Sequence, residues 1–192
     1  MRIAECHLES EAGSPYSSSR NHEIPKKEKE SADVHDLRTW RERAHYDDDT
    51  KEVYIPSMAF KFALMDVAKR LNLQIPGRGK STYAKSFTQG VLCVERVMLG
   101  VKVDAMQAVR VYCHADGVRG SGKRVFRTFP FLPKWKGILR VMLTDDLLPK
   151  DIFERVLREC GMVNGVGRFR AGNGGLNGRF RVTKIKWADT ME

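Results

Sequence analysis

Residues 149–187, PKDIFERVLRECGMVNGVGRFRAGNGGLNGRFRVTKIKW, hold a helix, a loop and a strand in succession, and their reading decides the fold. Pro149 suits the first helical position, Ile152, Phe153, Val156 and Leu157 recur at helical spacing as one apolar stripe, and Gly161 offers a C-terminal stop. RFRVTKIKW, from Arg179, alternates basic with apolar residues, the period of a half-buried strand. Between them six glycines, Gly165, Gly167, Gly172, Gly174, Gly175 and Gly178, are interleaved with Arg168, Arg170 and Arg179. A dinucleotide-binding loop opens a helix, whereas this one opens a strand, which argues against Rossmann chemistry. Glycine lets backbone N–H groups approach a phosphate and arginine adds forked donors to the same oxygens, so the loop reads as anion-binding.

Working outward, RIAECHL (2–8) reads as a first strand with Ile3, Cys6 and Leu8 apolar. After Val53–Ile55, Ser57 suits the N-cap of a helix whose Phe60, Leu64, Val67, Ala68 and Leu71 keep a 3.6-residue spacing, ended by Pro76 and Gly77. Strands are expected at Val91–Val103, at Val109–Cys113, over VFRTFPFL and at Gly137–Thr144. The basic turn DGVRGSGKR joins two of them into a long hairpin. Setting insertions aside, the order is strand, helix, strand, strand, helix, strand: an α+β, ferredoxin-like (RRM-like) βαββαβ core whose second sheet face is open to a ligand. The expected organisation is one domain over 1–192, with a polar arm at 9–52 and a basic hairpin insertion at 104–136. Within the arm, DVHDLRTWRERA suits at most a short helix docking Trp40.

The 192 residues include 34 Lys/Arg and 24 Asp/Glu, a formal net charge of +10. That charge is segregated: residues 1–52 hold 9 basic and 13 acidic side chains, and the remainder 25 and 11. Three stretches, Val67–Val94, Gly117–Thr144 and Cys160–Ala188, contain no acidic residue at all. Solubility alone calls for mixed charge, so the pattern points to a polyanionic partner, single-stranded RNA or DNA. No apolar run approaches the roughly 20 residues that span a bilayer. Glu5, Glu9 and Glu11 stand where a signal peptide needs apolar residues, and Cys6, Cys93, Cys113 and Cys160 form no CxxC pair. A reduced, cytoplasmic protein without membrane contact is expected.

PGRGKST is not a Walker loop: the required first glycine is replaced by Gln74, and a helix precedes the segment where a strand should. Arg78, Lys80 and Lys85 still qualify as phosphate contacts. Cys113 beside His114 lacks partners at zinc spacing, and Asp47–Asp49 read as a solvated turn, so no metal or cofactor is expected. His7, His22, His35 and His45 have no partner assignable by spacing, and no GxSxG or HExxH signature occurs. The expectation is a protein without catalytic residues. Phe126 lies between arginines on the hairpin and Phe169 between arginines in the loop, which makes them the best base-stacking rings; Phe129, Phe131, Trp135 and Phe180 suit a core.

GVGRFRAGNGGLNGRF, between an amphipathic helix and the last strand, resembles the glycine-rich loop of the RAMP superfamily, RNA-binding ferredoxin-like proteins of CRISPR effector complexes. VYIPSMAFKFALMDVAKRL is similar to the opening of the first helix in their backbone subunits. With SPYSSSR and RTWRERAHYDDD, the chain looks most like small phage or prophage relatives of that group. In the backbone subunits a small-residue turn usually precedes the helix lysine, whereas here Ser57, Met58, Ala59 and Phe60 precede Lys61. The resemblance implies side-by-side assembly along a strand, as a homo-oligomer or with CRISPR effector subunits.

Together these features describe a sequence-tolerant binder of single strands. Gly165, Gly167, Arg168, Phe169, Arg170, Gly174, Gly175, Gly178 and Arg179 would grip phosphates, Lys123, Arg124, Phe126 and Arg127 would clamp the strand, and Lys61, Arg78, Lys80 and Lys85 would extend the track. An anti-CRISPR-like protein that caps a backbone subunit through the arm, and an endoribonuclease using His22, His35 or His45, are the alternatives.

Overall fold

The computed structural model describes residues 1–115, 120 and 122–188. Along the chain run β1 (Arg2–Ser10), β2 (Tyr16–Ser17), α1 (Ala32–Thr39), β3 (Glu52–Ile55), α2 (Ser57–Leu71), α3 (Ala84–Gln89), β4 (Val91–Cys93), β5 (Val97–Lys102), β6 (Gln107–His114), β7 (Arg124–Leu132), β8 (Lys136–Leu143), α4 (Lys150–Glu159) and β9 (Phe180–Ala188). Residues 116–119 and 121, most of the expected basic turn, lie outside the described residues.

The main sheet has the order β4-β8-β1-β9, antiparallel at every pairing. The period-2 alternation of β1 decides which face is buried: Ala4, Cys6 and Leu8 point into the core, while Glu5, His7 and Glu9 point away. Leu139, Val141 and Leu143 of β8 join the inner face, and Phe60, Leu64 and Val67 of α2 with Phe153, Val156 and Leu157 of α4 cover it. The two apolar stripes read from the sequence are therefore the helix faces that close the core. This is an α+β fold built on antiparallel sheets.

Several boundaries differ from expectation. Pro56, not Ser57, occupies the N-cap of α2, and the helix ends at Asn72, whose left-handed φ of 49° lets its N–H reach the Ala68 carbonyl. Asn tolerates that conformation, so the chain turns before Pro76 and Gly77. Pro149 is likewise the N-cap of α4, not its first residue, and Gly161 does not stop it. A π-helical turn, Cys160–Asn164, carries the chain on to Gly165. Gly161 serves a different purpose: a Cβ there would stand 2.0 Å from the Phe180 carbonyl oxygen, so only glycine lets β9 lie this close.

The expected strand at Val91–Val103 is two strands in two sheets. β4 pairs with β8, then the chain turns away and β5 pairs with β3. A short helix, α3, follows the PGRGKST segment and leads into β4. β6 and β7 form a long antiparallel hairpin, and β2 joins the outer side of β7 to make a three-stranded sheet. Beyond β2, the Thr128 N–H of β7 donates instead to the Asp36 carboxylate of α1 at 2.7 Å. Ser31 caps α1 by accepting from the Val34 N–H, and Trp40 is buried, so the arm lies packed along the hairpin.

Candidate nucleic-acid interface

The open face of the main sheet is not a bare platform. Glu5 there faces His7 at 3.1 Å, Lys186 at 3.2 Å and Arg140 at 3.6 Å, and the Lys186 hydrogen bond first of all holds its carboxyl below the usual range. Glu9 pairs with Arg181 and Glu95 with Arg140. β5 crosses one side, where Gly137 makes room for Val97. A cleft of about 580 Å³ remains between them, lined among others by His7, Met98, Ile138, Arg140 and Thr183. Its two arginines already face carboxylates, Arg140 those of Glu5 and Glu95 and Arg96 that of Asp47, which leaves them less free for a polyanion.

The hairpin and the glycine loop meet elsewhere. The Arg168 guanidinium carbon lies 3.6 Å from the centre of the Phe129 ring and 4.5 Å from that of Phe169, and the two rings meet edge to face at 6.3 Å. Arg43, from the arm, reaches the same Phe129 ring at 5.4 Å. Burial pulls the Arg168 guanidinium below its ordinary pKa, and the charges of Arg43 and Arg127 add to the effect. Arg43 is lowered by burial too, although it donates to Asp36 at 2.8 Å. Of these three guanidiniums, Arg43 alone pairs with a carboxylate among the described residues, and the Nε atoms of Arg43 and Arg168 have no hydrogen-bond acceptor there. Concentrated, under-neutralised guanidinium is what an incoming phosphate would complete.

The loop's glycines answer to the protein itself. A Cβ on Gly167 would meet the Ser17 carbonyl oxygen at 2.5 Å, and one on Gly178 the Val166 carbonyl oxygen at 1.7 Å. Arg168 N–H donates to Ser17 and Gly178 N–H to Pro15, tying the loop to the start of the arm. The amides of Gly165, Gly174 and Gly175 also donate within the chain. Those amides are therefore spent within the chain. Arg170 stands 3.8 Å from Asp66, and Arg179 donates to the Met162 carbonyl.

On the outward face of the hairpin, Tyr112 and Phe126 are cross-strand partners with ring centres 5.0 Å apart, 56% and 53% exposed, and Arg110 lies 4.8 Å over Phe126. Lys123 and Arg124 are exposed beside them. Phe169 is 41% exposed, whereas Phe129, Trp135 and Phe180 are buried. Tyr112 escapes a reading of the sequence because only the register of the hairpin sets it opposite Phe126.

Lys61, Arg78, Lys80 and Lys85 do not join this cluster. The Lys61 ammonium donates to the carbonyls of Phe87, Thr88 and Val91, so all three of its donors hold α3 and β4 in place, and burial lowers its pKa. Arg78, Lys80 and Lys85 are exposed around α3, at the β4 edge of the sheet, whereas the glycine loop feeds the opposite edge strand, β9. Among the described residues no group of three or more His, Cys, Asp or Glu side chains could hold a metal ion. Asp47 is held at a pKa of about 2, first by the Thr50 amide, in a turn that also binds Arg96. No described helix is long and apolar enough to cross a membrane.

No family model matches the chain, and neither does any curated protein. Solved structures do. A chain of the Type III-B Cmr-beta structure, determined by cryo-EM with cognate target RNA bound, aligns with a TM-score of 0.55 at 12% identity over 97% of this chain. The protein spans 60% of the length of that chain. Cmr6 from Pyrococcus furiosus aligns at 0.47 with 12% identity, covering 95% of this chain and 99% of its own. A chain of a CRISPR RNA-guided surveillance complex aligns at 0.43 with 11% identity, covering 99% and 71%. The α+β fold is thus similar to that of the Type III-B Cmr-beta chain.

Proposed function

We propose that the protein is a non-catalytic, largely sequence-tolerant binder of single-stranded nucleic acid, built on a ferredoxin-like RAMP core and acting in a CRISPR context. The strand order β4-β8-β1-β9, with α2 and α4 on one face, is that expected for a βαββαβ core of this class. The likeness to a chain solved in an RNA-bound complex supports the context. The observation that carries the reading is the convergence of Arg43 and Arg168 on Phe129, with the charge of Arg127 near enough to act on both, next to a hairpin whose exposed Tyr112 and Phe126 can take stacked bases. In this reading the arginines hold phosphates and the rings hold bases, neither of which selects sequence strongly.

A gel-shift panel of single- and double-stranded RNA and DNA at two salt concentrations tests it. Single strands should bind best, with affinity falling steeply with salt as counterions are released. The double variant Arg168→Ala, Arg170→Ala should weaken binding to all sequences alike. Unchanged affinity in the salt titration refutes the assignment. Shortened RNA products from wild type that vanish on replacing His22, His35 or His45 would instead mark an endoribonuclease. Capture of a CRISPR backbone subunit without oligonucleotide binding would mark a capping protein.

A further inference from the structure

The arm is acidic in sum, and Asp33 pairs with Arg110 of the hairpin, yet one cleft between the two is lined mostly by cations. A cleft of about 340 Å³, at the small end of ligand pockets, lies between the two. Its walls carry Arg20, Lys26 and His22 from the arm, His35 from α1, Arg43 after it, and Arg127 from β7. Among the described lining residues Asp36 is the only carboxylate, and it is spent on Arg43 and the Thr128 N–H. Four cations against one carboxylate leave a formal +3 with both imidazoles neutral.

The imidazoles themselves are informative. The rings of His22 and His35 stand 6.0 Å apart, His35 Nε2 is tied to the Ile24 carbonyl, and His22 Nδ1 is buried without a hydrogen-bond partner. Arg43 Nε beside them is buried and unpartnered as well, on a side chain only 13% exposed. Buried donors and acceptors are normally satisfied, and leaving one bare costs free energy. Here two polar atoms in a cationic recess wait for the same kind of ligand: an anion with several acceptor oxygens.

We propose that this cleft is a phosphate site, distinct from the exposed aromatic face of the hairpin, which takes the phosphate of a nucleotide. Arg43 and Arg127 supply forked donors, Arg20 and Lys26 close over the open side, and His22 completes the shell. Arg43, shared with the Phe129 cluster, makes the cleft continuous with Arg168. The proposal rests on the nucleic-acid reading only for the source of the phosphate, an internal phosphodiester or a terminal monoester of the bound strand.

The test uses inorganic phosphate and the full chain. Against sodium chloride at equal ionic strength, phosphate should raise the melting temperature and shift the NMR signals of the His22 and His35 rings, leaving those of His7 unmoved. Lys26→Gln with Arg127→Gln spares the Arg43–Asp36 pair and should weaken phosphate about tenfold or more. Arg20→Gln, an exposed change, should weaken it in the same direction. No stabilisation beyond chloride, or a phosphate response that survives the double variant, overturns the proposal. A 5′-phosphorylated oligonucleotide that binds more tightly than its 5′-hydroxyl twin, with the difference lost in the double variant, assigns a terminal phosphate. Equal binding of the two, weakened equally by the variant, assigns an internal one. Failure of the wider reading is separate: it would leave oligonucleotides unbound while the phosphate response stands.

Discussion

Replacing both Tyr112 and Phe126 by alanine separates base stacking from charge. The two rings face solvent, touch each other at 5.0 Å and carry Arg110 at 4.8 Å, so the native fold gains from them only a cross-strand pair and a surface cation–π contact. Such a pair is worth about 0.2–1 kcal/mol. For a chain of this size that corresponds to a fall in melting temperature of less than about 4 °C. Affinity should respond far more. Each ring that no longer stacks on a base costs about 1–3 kcal/mol, which is roughly 5- to 150-fold in Kd. No charge is removed, so the slope of log Kd against log salt should match wild type. Lys123→Gln with Arg124→Gln should do the reverse, flattening that slope by about 0.7 for each single-strand phosphate that is no longer neutralised. Fluorescence anisotropy with a short labelled single strand, read at several salt concentrations, measures both quantities. A doubly substituted hairpin that binds within about twofold of wild type at every salt concentration refutes stacking on this face.

Gly178→Ala puts a Cβ 1.7 Å from the Val166 carbonyl oxygen at a φ of +71°; the left-handed backbone alone costs about 1–2 kcal/mol, and thermal melting should drop by more than that portion implies. Lys61→Met removes the donor from three carbonyls and should destabilise the fold by about 1.5–3 kcal/mol in a urea titration, while the affinity of the folded fraction for single strands stays unchanged. Burial lowers the pKa of His22 and of His45, so the unfolded chain binds their protons more readily than the folded one. The stability they contribute is complete above about pH 6.5 and is lost as pH falls below it; melting temperature should be lower at pH 5.5 than at 7.5, and His45→Asn should shrink the difference. Asp36→Ala removes the buried partner of Arg43 and of the Thr128 N–H, with an expected loss of about 3–5 kcal/mol by chemical denaturation.

What the residues disclosed on their own followed the range of the interaction. α2 and α4 are legible because an apolar stripe at 3.6-residue spacing is a local property, and Phe60, Leu64, Phe153 and Leu157 all end in the core. The largely apolar run 91–103, interrupted by Glu95 and Arg96, does not by itself disclose the parting of β4 from β5, since β3, more than 40 residues earlier, decides where Val97 and Met98 pair. The same limit applies to the interface. Phe126 and Phe169 stand out by their arginine neighbours, but Tyr112 depends on hairpin register and Arg43 on how the arm folds back. The net acidity of residues 1–52 conceals that Arg20, Lys26 and Arg43 share one wall. The glycine count in the last loop is conspicuous, yet Gly167 and Gly178 answer to the close passage of the Ser17 and Val166 carbonyls, which no local pattern encodes.

The position of β1 also shapes how the molecule comes into being. Its residues emerge well before the strands that flank it, β8 and β9, which begin at Lys136 and Phe180. At about 5–20 residues per second a ribosome needs roughly 6–25 s to reach the first partner after β1 is out. Throughout that interval a nine-residue strand with Cys6 and Leu8 on one side has both edges bare. Productive folding is thus a late, long-range event, and the nascent β1 segment is where aggregation or chaperone capture should begin.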